Sequence, residues 1–124
     1  MSEQSDLPII VKWMDFLKWI LMTTEKFPKS SRFSFALRII NLAFDVLECL
    51  IEARYSKSKL ATLRRANIQL EKLRFIMRIS FESKFISHKS HEHAMRSLIE
   101  VGKMLGGWIK QQEDLKTDAK RVTI

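Results

Sequence analysis

With 124 residues, 46% of them apolar and only three Gly and two Pro, the chain can fill one folded helical domain but not two, and it is not a disordered tail. Its single cysteine, Cys49, excludes an intramolecular disulfide and reads as a small buried apolar residue among Leu47, Leu50 and Ile51. The net charge of +8 is unevenly placed: Arg54 to Lys110 holds 13 Lys or Arg against four acids (Glu71, Glu82, Glu92, Glu100), so one basic surface is expected, of the kind that attracts phosphate polymers or an acidic partner.

The start, Met1 to Asp6, is polar and acidic rather than a secretory signal. Charges break every apolar run well short of the ~20 residues that span a bilayer. A soluble, cytoplasmic protein is expected.

The first helix opens with Ser5 or Asp6 as N-cap and Pro8 in the first turn, where a missing N–H costs nothing. Ile9, Trp13, Phe16 or Leu17, and Ile20 then recur at helical spacing. Phe27-Pro28-Lys29-Ser30 ends it, because Pro28 disfavours helical geometry at Phe27.

Ser30 or Ser31 can cap the second helix. Phe33, Leu37, Ile40, Phe44, Leu47 and Ile51 then form a heptad seam, with a second apolar row, Phe35, Ile39, Leu42, Val46 and Leu50, beside it. An ordinary bundle core needs one stripe. The surplus row, Phe35, Ile39 and Val46, is assigned to a contact between subunits.

Ser56 or Ser58 can cap the third helix, whose core face reads Leu63, Ala66, Leu70, Leu73, Met77 and Phe81. Ile68, Phe75 and Ile79 turn away from that face and are also assigned to subunit contact. Ser90 with Glu92 suits the start of the fourth helix, where Ala94, Leu98, Val101, Leu105 and Trp108 make the core row. Past Gln111 the apolar period stops, so the bundle is placed at 1–114 and a flexible charged tail at 115–124. Short connections between four amphipathic helices predict an all-α, antiparallel up-down-up-down bundle.

No catalytic arrangement stands out, and no enzyme activity, cofactor or catalytic residue is expected. There is no nucleophile elbow, no glycine loop after a strand and no Cys–His pairing. Glu48 and Glu52, four residues apart, read as a solvated or salt-bridged flank. His88, His91 and His93 lack the four-residue spacing that aims two imidazoles at one metal, so no metal site is expected. Gly102, Gly106 and Gly107 interrupt a helix at a cost of about 1 kcal/mol each relative to Ala, and read as a place of tight helix–helix contact. The basic rows carry the functional expectation. Arg64, Arg65, Lys72, Arg74 and Arg78 on the third helix, with Arg96, Lys103 and Lys110 on the fourth, line one face if those helices are neighbours, and bind phosphates with strong salt dependence and little sequence preference. No recognition-helix motif or aromatic stacking platform is evident from the sequence.

The stretches Arg54-Tyr55-Ser56, Leu63-Arg64-Arg65-Ala66-Asn67, Leu70-Glu71-Lys72-Leu73-Arg74 and Glu100 to Ile109 (Glu-Val-Gly-Lys-Met-Leu-Gly-Gly-Trp-Ile) carry a resemblance. From about Trp13 to Lys110 the sequence resembles the accessory variability determinant (Avd) proteins of diversity-generating retroelements. These are related to the four-helix-bundle proteins encoded in intervening sequences of bacterial 23S ribosomal RNA genes. That second branch usually carries an Asn-Ile-Ala-Glu-Gly-like stretch where this chain has Leu50-Ile51-Glu52-Ala53-Arg54, which favours the Avd branch. The resemblance implies a ring-like homopentamer that binds a reverse transcriptase and its template RNA, and also DNA non-specifically, in mutagenic copying. The alternatives are an intervening-sequence protein of unknown role and a helical adaptor with an acidic partner.

Overall fold

Pro28, the polar stretch after Tyr55 and the turn at Lys84 divide the chain into four helices. The computed structural model describes the backbone of residues 2–123 and the side chains of residues 6–120. Helix α1 spans Ser2–Thr24. Helix α2 begins with one α-turn at Lys29–Ser31, passes through a π-helical segment at Arg32–Ala36 and continues over Leu37–Tyr55. Helix α3 spans Leu60–Glu82 and helix α4 spans His88–Thr123. Each helix packs on its two neighbours in the order α1–α2–α3–α4–α1, which makes an all-α four-helix bundle with no strand among the described residues.

The core is one row from each helix. Ile9, Trp13, Phe16 and Ile20 come from α1, Leu63, Ala66, Leu70, Leu73 and Met77 from α3, and Ala94, Leu98, Val101, Leu105 and Trp108 from α4, all buried as their spacing predicts. Helix α2 departs from expectation. Its buried row is Ala36, Ile39, Ala43, Val46, Leu50 and Ala53, again at alternating steps of three and four residues. Ile39 and Val46 are therefore interior to the single chain and are not available for subunit contact. Phe35 is half-buried and meets Phe85 edge-on at 5.2 Å, while Phe27 packs on the same ring at 5.9 Å, so these three rings close one end of the bundle. The bulkier seam, Phe33, Leu37, Phe44 and Ile51, is the one left in solvent. Small side chains explain the exchange, because alanines on the inner row let α1 approach α2 closely enough for the Trp13 indole to reach the carbonyl of Ala43.

The helix ends use partners other than those expected. Asp6 does not cap α1, which is already helical from Ser2; its fully buried carboxylate instead pairs with Arg54 near the end of α2 at 2.8 Å. The Ser5 side chain lies outside the described residues. Pro28, not Ser30 or Ser31, occupies the N-cap position of α2. Arg32 reaches back to the carbonyls of Glu25 and Phe27, satisfying acceptors beyond the end of α1. Lys59 performs the same service for α2, donating to the carbonyls of Arg54 and Ser56 at 3.1 and 2.7 Å as well as to Ala53. Lys59, rather than Ser56 or Ser58, is also the N-cap residue of α3. Helix α3 ends in a Schellman turn: Lys84 is left-handed at φ 66°, its N–H bonds to Phe81, and the Phe85 N–H bonds to Ser80. Ser87, not Ser90, caps α4 by accepting from the Ser90 N–H at 3.1 Å. That last helix runs on as helix through Thr123, past the boundary expected near residue 114. Its side chains from Glu113 to Lys120 are exposed.

Candidate nucleic-acid interface

Helices α3 and α4 are neighbours, which is the condition for their basic rows to meet. At about 100° per residue, Arg74 and Arg78 lie one turn apart on the side of α3 that faces α4. Arg74 and Lys103 line the same groove, with Asn67 and Gly102 between their helices. A second cleft further along gathers Glu71, Arg74, Phe75 and Arg78 from α3 and His91 and Met95 from α4.

The eight basic residues do not form a single row. Arg64 crosses to Glu113 on the far part of α4 at 2.8 Å, whereas Arg65 turns the other way and meets Glu52 on α2 at 3.0 Å. Lys72 lies by helical arithmetic near Arg65, away from α4. Arg74 pairs with Glu71 at 3.1 Å and Arg78 with Glu82 at 3.3 Å, both along α3; Arg96 sits 3.9 Å from Glu92. All these pairs are exposed, so water and salt screen them and each yields readily to a better anion. Lys72, Lys103 and Lys110 are exposed and have no ion pair among the described residues. On the other flank of α4, Lys12 of α1 pairs with Glu100 and its hydrogen bond holds that carboxyl below the usual range. The structure thus places Arg74 with Lys103 in one groove and with Arg78 in the adjoining cleft, with Arg64 along the same side of α3, and separates Arg65 and Lys72 from them.

The histidines are spread by the helix that carries them. His93 faces α1, its ring 4.5 Å from Trp19, while His91 stacks on Phe81 at 4.5 Å with the planes 8° apart. His88 meets the same Phe81 edge-on. Burial, with the charges of His88 and Arg78 adding to it, pushes the His91 pKa below its ordinary value. Its Nε2 is shut off from water without a hydrogen-bond partner. Sequence reasoning treats His91 as a solvated turn residue; its position four residues before Met95, on the α3-facing side of α4, is the signal that could have placed it.

The glycines do not serve close packing within the bundle. A Cβ added at Gly102, Gly106 or Gly107 would meet nothing within 4 Å, so the expected tight contact is not made inside this chain. Of the outer row on α3, Ile68 and Ile79 stand in solvent as expected, whereas Phe75 also lines the α3–α4 cleft. The exposed apolar surface that sequence reasoning misses lies between α1 and α2. There Leu21, Phe33, Leu37 and Ile40 line one groove, and Phe33 is 89% exposed.

The family model described as bAvd-like matches residues 8–112, nearly the whole bundle. The chain belongs to the bAvd-like family. No curated protein shows significant sequence similarity to it. The match takes in part or all of each of the four helices of this bAvd-like protein and ends within α4, close to the point where the apolar period ends. Among the described residues of this bAvd-like chain, no helix is long and apolar enough to cross a membrane.

Proposed function

We propose that this bAvd-like protein is a non-enzymatic accessory factor of a retroelement reverse transcriptase, acting in the cytoplasm and holding template RNA on the basic α3–α4 face during mutagenic copying. The observation that carries the reading is the convergence of Arg74 and Lys103 on one groove, with Arg78 in the adjoining cleft, in a chain of this family. Exposed cations weakly held by local acids exchange those partners for phosphates, and the released counterions drive binding. Assembly into a ring-like homopentamer repeats this face around the ring, so modest contacts add through effective concentration. The α1–α2 seam, with Phe33 beside the groove of Leu21, Leu37 and Ile40, is the apolar surface that such assembly covers, together with Ile68 and Ile79.

The test is co-expression of the tagged chain with the reverse transcriptase of a diversity-generating retroelement and its template RNA. The reading expects both to co-purify with an oligomer seen by light scattering. Recovery of a clean monomer with neither bound would reject it.

A further inference from the structure

We propose that the cleft between α3 and α4 seats one nucleotide of a single-stranded nucleic acid, its phosphate on Arg74 and Arg78 and its base against the ring of Phe75. The proposal rests on the nucleic-acid reading above and deepens it, because a basic groove alone does not distinguish single strands from duplex.

Phe75 carries the argument. The other phenylalanines at this end of the molecule are engaged: Phe81 stacks with His91, and Phe27 and Phe35 pack on Phe85. Phe75 makes no ring contact among the described residues and is 64% exposed, yet it lines a cleft of about 250 Å³ rather than standing alone on the surface. An aromatic face beside guanidinium groups is the chemistry that holds single strands, since every unpaired base has a face to stack and every link carries a phosphate. A duplex keeps its bases stacked on one another and cannot offer one to the ring.

The surroundings suit that occupant. Arg74 and Arg78 lie one turn apart and are held only by exposed carboxylates of their own helix, Glu71 at 3.1 Å and Glu82 at 3.3 Å. Phosphate replaces such partners with charge-assisted, two-pronged hydrogen bonds. His91 lines the same cleft from α4, and its Nε2 is buried without a hydrogen-bond partner. The His91 imidazole is held by its stack on Phe81, and burial pushes its pKa down, so it walls the cleft with little added charge. Glu71 is the one acid in the lining, and it competes with phosphate for Arg74.

The experiment is fluorescence anisotropy with a labelled single-stranded 12-mer RNA and the corresponding blunt RNA duplex. Wild-type, Phe75→Ala, Phe75→Trp and Glu71→Gln proteins are compared, with helicity and oligomeric mass checked for each. Phe75→Ala is expected to weaken single-strand binding roughly tenfold and leave duplex binding within about twofold. Phe75→Trp should restore the preference, and Glu71→Gln should tighten both probes. A Phe75→Ala protein with wild-type single-strand affinity, or one whose oligomeric mass falls, would overturn the assignment of the cleft while leaving the basic face intact. Failure of wild-type protein to bind either probe would remove the nucleic-acid reading itself, and this site with it.

Discussion

The indole Nε1 of Trp13 on α1 donates to the carbonyl oxygen of Ala43 on α2 at 2.8 Å, in the fully buried centre of the bundle. This bond ties the first helix to the alanine row that allows close approach. Trp13→Phe keeps an aromatic ring but removes the donor and leaves space behind it. It is expected to destabilise the fold by about 1–3 kcal/mol and lower the thermal midpoint by several degrees. A midpoint equal to wild type would show that the bond contributes nothing net.

Asp6 and Arg54 form the most buried ion pair among the described residues, with the carboxylate side chain 1% exposed and its Oδ2 lacking a partner. Removing the cation strands a charge in the interior. Arg54→Met is therefore expected to cost about 3–5 kcal/mol, whereas the double change Asp6→Leu with Arg54→Met recovers most of it. Denaturant unfolding of the three proteins decides the matter, and equal stability of single and double variants would contradict the account.

His91 makes the fold sensitive to mild acid. Its pKa lies below 6.5 in the folded protein because burial disfavours the charged ring, with His88 and Arg78 adding to that effect and Glu82 opposing it. Well above pH 6.5 neither state is protonated at this site and no penalty applies. As pH falls towards and through 6.5 the unfolded chain takes up the proton first, so stability drops until the folded pKa is passed. His91→Phe, which keeps a ring for Phe81, is expected to flatten the decline between pH 7 and pH 5, read from unfolding curves at each pH. An unchanged slope would place the sensitivity elsewhere.

Much of the fold could be read from spacing alone, because α1, α3 and α4 each carry one dominant apolar row and that row is the buried one. Helix α2 misled because burial followed fit rather than bulk. Ala36, Ala43 and Ala53 weigh little in a hydrophobic pattern but permit close packing, while Phe33 and Phe44 weigh heavily and point outward. Side-chain capping was equally hard to foresee, since Lys59 and Arg32 act on carbonyls that lie close only after the turns have formed. The basic face was legible as composition and helical arithmetic. Its division was not, because Arg65 is drawn to Glu52 and Arg64 to Glu113 by neighbours distant in sequence. Phe75 looked like one of three surplus apolar residues until α4 supplied His91 and Met95 beside it.

The central claim is that phosphates bind along the α3–α4 face, at the groove of Arg74 and Lys103 and the adjoining cleft of Arg78. The most direct measurement is RNA affinity across a salt series for wild type and for a folded Arg74→Ala/Arg78→Ala double variant. Every phosphate that the protein no longer neutralises takes about 0.9 from the logarithmic salt slope for duplex and about 0.7 for single strands. The account predicts weaker binding by the variant, with a slope shallower by roughly one to two and with helicity and oligomeric mass unchanged. Wild-type affinity and slope in the double variant would contradict it and move the nucleic-acid surface off this side of α3.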